Sequence, residues 1–112
     1  MARAASNKIL IRVNEKLTEA TGVTGDYFLD YDVGETWNLT ITGNTELKES
    51  NLPTSGTFTR VIVLRVTGNF TLTFPASWSD DITGVYNGTD TNLIVVQYFK
   101  STVYKVEISQ PD

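Results

Sequence analysis

Asp30 and Asp32, with Asp26 and Glu35 close by, are the residues of this 112-residue chain whose type and spacing come nearest to catalytic chemistry. On a strand, residues two apart share a face. A carboxylate pair placed so could serve a glycosidase or hold a Ca²⁺ ion. The competing reading turns Leu29 and Tyr31 to the core and leaves both aspartates on a solvated strand face, where carboxylates ordinarily lie. No calcium-loop pattern supports a metal, and Asp80-Asp81 aims its side chains apart, as a polar loop does. The chain has no histidine and no cysteine. The commonest general base, the commonest transition-metal ligand and the thiolate nucleophile are therefore missing together. No glycine-rich phosphate loop follows a strand and opens a helix. The expectation is a non-enzyme with no catalytic residue, no metal and no cofactor.

Aromatic side chains are the second source of binding chemistry. Trp37 alternates with polar neighbours on a strand and belongs to the core. Trp78 and Tyr86 fall in a long loop, Pro75 to Thr91. There they can cover the end of the core, anchor a subunit interface or stack on a sugar. These two residues are the candidate contacts with an interface or a glycan.

The elements that position them read as strands. Trp37, Leu39 and Ile41 alternate with Asn38, Thr40 and Thr42, and Phe70, Leu72 and Phe74 alternate with Thr71 and Thr73. Such a period of two puts one face in a core and the other in water. Arg60 to Val66 and Asn92 to Phe99 are apolar on both faces, as central strands are, and Tyr104, Val106 and Ile108 alternate to finish the chain. Thr42-Gly43-Asn44-Thr45 and Thr67-Gly68-Asn69-Phe70 each set Gly-Asn between alternating runs. That is the chemistry of a two-residue hairpin, and the two copies suggest two similar hairpins facing each other across a core. Asn51 to Gly56 reads as a loop and Lys100-Ser101-Thr102 as a tight turn. Lys8 to Val13 is apolar enough for a strand, and Asn14 to Thr21 has the look of one helical turn or a plain loop.

The fold class expected is all-β: an antiparallel β-sandwich or flattened barrel of about eight short strands. Residues 1–25 form a short N-terminal arm and 26–112 the β-domain. One domain is what this length allows. A net charge of −4 with scattered lysines and arginines argues against nucleic acid. No apolar run reaches a membrane span, and the opening residues lack the apolar centre of a signal peptide. Synthesis in a cytoplasm, with no membrane partner, is expected.

The order of these motifs resembles a β-domain of tailed-bacteriophage virion proteins, of the tail-fibre and capsid-decoration type. The resemblance runs through Leu39-Thr40-Ile41-Thr42-Gly43-Asn44-Thr45, Leu47, and Asn51-Leu52-Pro53 with Gly56. It continues through Val61–Leu64, Phe70-Thr71-Leu72-Thr73-Phe74-Pro75 with Trp78, and Gly84, Gly88 and Asn92. It ends on Ile94-Val95-Val96-Gln97-Tyr98 and the Tyr104 strand, and spans roughly Asp32 to Ile108. It implies a non-catalytic virion protein made in a bacterial host, with other capsid or tail subunits as partners and a trimer or other homo-oligomer as its state. In fibres the module follows a long stalk, whereas here about thirty residues precede it. That favours a decoration or cement protein whose arm docks on a neighbour. The alternative is a receptor- or carbohydrate-binding module using Trp78 and Tyr86.

Overall fold

A computed structural model describes residues 17–52 and 58–111 of the chain. Among the described residues seven strands make one sheet: β1 (Leu17–Asp30), β2 (Thr36–Ser50), β3 (Arg60–Thr67), β4 (Leu72–Thr73), β5 (Ile82–Thr83), β6 (Asn92–Phe99) and β7 (Thr102–Ser109), with one 3-10 turn at Ala76–Trp78. Their order is β1-β2-β3-β6-β7-β5, with β4 beside β2. The chain is all-β, as its alternating pattern requires. Lys8–Val13 and Pro53–Gly56 lie outside the described residues, and so does the start of the Asn14–Thr21 segment; its remainder, Leu17–Thr21, is strand.

Pairing is mixed rather than uniformly antiparallel. β3, β6 and β7 form antiparallel ladders, with Val63 beside Val95 and Val96 beside Val106. β1 and β2 run parallel, and β2 pairs parallel with β3 through Thr36–Thr40 and with β4 through Thr45–Glu46. Because one strand changes partner between Thr40 and Thr45, the sheet turns a corner there and wraps its own core. On this side the sheet is a stack of parallel coils.

The Thr-Gly-Asn segments make that corner and are not hairpins. Thr42–Thr45 is continuous strand within β2, and Gly43 keeps a negative φ, so no primed turn forms there. Thr67–Phe70 bends β3 into β4, with Gly68 at φ +131°. A third copy, Thr24-Gly25-Asp26, sits inside β1 with Gly25 at φ +71°. Each copy is preceded by a buried β-branched residue (Val23, Ile41, Val66) and followed by a buried leucine (Leu29, Leu47, Leu72). A polar, glycine-containing corner between two inward anchors folds each coil around the core. Gly25, the expected end of the arm, is thus an interior position of β1, and residues 17–25 belong to the sheet.

The central strands bury every second residue: Ile62, Leu64 and Val66 in β3, and Asn92, Ile94, Val96 and Tyr98 in β6. The aliphatic side chains among them each contribute roughly 1.5–3 kcal/mol on burial. Lys100 and Ser101, at φ +53° and +66°, make the tight β6–β7 turn expected there. A register shift between Gln97 and Tyr98 then changes the phase of β7. Val103, Val106 and Ile108 point inward and Tyr104 points out, 67% exposed, in place of the common face expected for Tyr104, Val106 and Ile108.

Candidate functional site

Asp30 and Asp32 do not form a paired-carboxylate site. Asp30 ends β1 and Asp32 lies in the turn beyond it, so they share no strand face. The Asp30 carboxylate accepts hydrogen bonds from the Asp32 backbone N–H at 3.0 Å and from Asn51 Nδ2 at 2.7 Å. It fixes the turn between β1 and β2. Leu29 and Tyr31 face the core, as expected. Glu35 is engaged elsewhere: its Oε2 accepts from Arg60 Nε at 2.6 Å. Arg60 also donates to the Tyr31 carbonyl at 2.7 Å and lies 5.1 Å from the centre of the Tyr31 ring. Among the described residues no group of three acidic side chains is placed to hold a metal ion.

The carboxylate that does gather partners is Glu49, near the end of β2. Its Oε2 accepts from Tyr31 Oη at 2.6 Å, from Tyr98 Oη and from Trp78 Nε1 at 3.2 Å, while Ser77 Oγ donates to Oε1 at 3.3 Å. Three separated segments, the turn after β1, the Ala76–Trp78 turn and β6, are thereby tied to one side chain of β2. Burial, and then the Glu49 carboxylate, push both the Tyr31 and Tyr98 hydroxyls above the ordinary phenol value. Both rings and the indole are buried. The cluster presents no phenol to solvent, and its chemistry is that of a packing tie. An acidic residue at the end of an alternating strand gives no sequence signal for this role.

Trp78 is fully buried, stacked 5.9 Å from Phe74 and bonded to Glu49, so it packs as part of the core. Tyr86 is separate from it. Its hydroxyl donates to the Gly68 carbonyl at 2.7 Å, and its ring lines an open groove of about 690 Å³. Asn44, Asn69, Phe70, Phe74 and Val85 share that lining, with Phe70 46% and Val85 77% exposed. The corner of the coil stack forms its floor, where Thr71 N–H donates to Asn44 Oδ1 at 3.1 Å.

A second surface was not legible from sequence. On the outer face of β3, β6 and β7, Val61, Phe99 and Tyr104 stand exposed around a smaller depression of about 310 Å³, completed by Thr59, Gln97 and Tyr98. The Phe99 and Tyr104 rings lie 6.3 Å apart. Register explains the grouping: Val61 pairs with Gln97, and Gln97 with Lys105, across adjacent strands. The β7 register shift that turns Tyr104 outward supplies its third aromatic or apolar member.

Comparison with protein-family models, with curated proteins and with solved structures finds no match to the chain. No helix among the described residues is long and apolar enough to cross a membrane.

Proposed function

We propose that this chain is a non-enzymatic structural protein of a tailed-bacteriophage virion, a capsid decoration or cement subunit or a tail-associated component, working in symmetric assemblies with other virion proteins. The observation that carries the reading is the outward apolar group Val61, Phe99 and Tyr104. Single exposed apolar residues are ordinary, but a contiguous set with aromatic anchors is what a protein contact uses. It stands on central strands, so little ordering is needed when a partner docks. The order of motifs from Leu39 to Tyr104 supplies the second support. Many copies on a symmetric particle turn weak single contacts into stable attachment.

The test is add-back to particles that lack the chain. Wild-type protein is expected to saturate them, and a folded Phe99→Asp, Tyr104→Asp variant to bind about tenfold weaker or worse. Equal binding by the variant rules out the patch, and no binding by the wild type rules out the reading.

The groove beside Tyr86 favours a second reading, a receptor- or carbohydrate-binding module. Its mixed amide and aromatic lining is of the kind that holds a sugar ring. A glycan array with wild type and Phe70→Ala separates the two: specific binding lost in the variant supports the module, and a blank array supports the structural role.

A further inference from the structure

Close packing of the coils accounts for Gly43 and Gly68, and it leaves over amide groups of the asparagine that follows each. Asn44 and Asn69 are both exposed, and both line the open groove of about 690 Å³ beside Tyr86. Asn44 Oδ1 accepts from the Thr71 N–H at 3.1 Å. That bond fixes the amide and leaves both Nδ2 hydrogens without an acceptor among the described residues. The Asn69 amide hydrogen-bonds to none of the described residues. Packing places it instead: a Cβ on Gly88 would fall 2.6 Å from Asn69 Oδ1 and 2.8 Å from Asn69 Cα, so glycine at 88 lets the loop close on Asn69.

Apolar surface lies next to these amides. Phe70 and Val85 are exposed in the same groove, and Tyr86 is held there by the bond from its hydroxyl to the Gly68 carbonyl. Among the described residues no charged side chain lines the groove, although the chain carries 9 basic and 13 acidic residues. An ionic ligand would lose its water there and gain no counter-charge. We infer that the groove takes an uncharged saccharide bearing an N-acetyl group, which rests on the reading of this groove as a carbohydrate site. A pyranose has an apolar C–H face that packs on an aromatic ring. An acetamido group adds an N–H donor, a carbonyl acceptor and a methyl. The carbonyl suits the Nδ2 hydrogens of Asn44, the N–H suits Asn69 Oδ1, and the methyl suits Phe70 and Val85. Asn44 and Tyr86 are already fixed by their own bonds, so little ordering opposes binding.

Matched sugars test this by saturation-transfer NMR and titration of the full-length protein. N-acetylglucosamine, N-acetylgalactosamine and N-acetylmannosamine are set against glucose, galactose and mannose, each pair differing only in the group at C2. At least one N-acetylated sugar is expected to bind about tenfold tighter than its parent, with its acetyl methyl receiving the strongest saturation. Asn69→Ala, at an exposed position without hydrogen bonds to the described residues, should abolish that preference and leave binding of the parent sugar unchanged. N-acetylneuraminic acid, which carries an acetamido group together with a carboxylate, should bind about tenfold weaker than the preferred N-acetylhexosamine. Parent sugars that bind as tightly as their N-acetylated partners, or a preference that survives Asn69→Ala, would overturn the inference and leave the carbohydrate reading standing. Equal binding of N-acetylneuraminic acid would do the same. No binding of any of these sugars would overturn both.

Discussion

Gly43 packs against Thr24 so closely that a Cβ at Gly43 would lie 2.3 Å from Thr24 Oγ1 and 3.2 Å from its Cβ. The contact joins two stacked coils at their corners, and it explains why glycine recurs where no positive φ demands it. Gly68 is held more tightly, since its Cβ would fall 2.3 Å from the Ile41 carbonyl oxygen and its φ is +131°.

The two glycines should therefore respond differently to alanine. Gly43→Ala meets a side chain and is expected to cost about 1–3 kcal/mol, with much of the loss recovered in the double variant Thr24→Ala, Gly43→Ala. Gly68→Ala meets backbone in a strained conformation and is expected to cost more, with no side-chain change able to rescue it. Denaturant unfolding of the three variants checks both statements; a Gly68→Ala protein as stable as wild type would contradict the stacked corner.

Glu49 ties Tyr31, Tyr98, Trp78 and Ser77 to the end of β2. Glu49→Ala leaves buried donors without an acceptor and is expected to cost about 3 kcal/mol. Glu49→Gln keeps one acceptor oxygen and should cost about 1 kcal/mol. Thermal unfolding is the measurement, at roughly 4–8 °C for each kcal/mol in a domain near this size. Near-ultraviolet circular dichroism should lose its tryptophan fine structure in Glu49→Ala as Trp78 is released.

Alkaline pH should unfold the protein through the same cluster. Tyr31 and Tyr98 are held above the phenol value of 10.0 by burial and by the Glu49 carboxylate. The folded state then keeps protons that the unfolded chain releases above pH 10, so stability is full below that value and falls as pH rises beyond it. Tyrosinate absorbance is expected to rise partly before unfolding and to finish with it. Tyr31→Phe and Tyr98→Phe should each flatten the alkaline loss of stability; an unchanged slope in both would remove the cluster from the account.

Much of the fold is legible in sequence because its signals are local. Val61–Val66 and Asn92–Phe99 are apolar on both faces and become central strands, and Trp37, Leu39 and Ile41 alternate into the core. Parallel stacking is not legible in the same way. Gly-Asn between alternating runs satisfies a hairpin and a coil corner equally, and only the close approach of Thr24 to Gly43 separates them. The third corner is hidden because Asp26 stands where the others carry asparagine, behind a segment with helical spacing. The surfaces depend on longer-range facts still. Trp78 and Tyr86 share a loop, yet one is drawn inward by Glu49 and the other outward to Gly68. Tyr104 joins the outer patch only because β7 shifts register opposite Gln97 and Tyr98.

The central claim, that this chain is a virion structural protein, is tested most directly by its copy number in purified particles. Quantitative mass spectrometry against the major capsid protein is expected to find it in a fixed, symmetry-related ratio that survives stringent purification. Particles from which its peptides are absent, or in which the ratio falls away with each purification step, would contradict the claim.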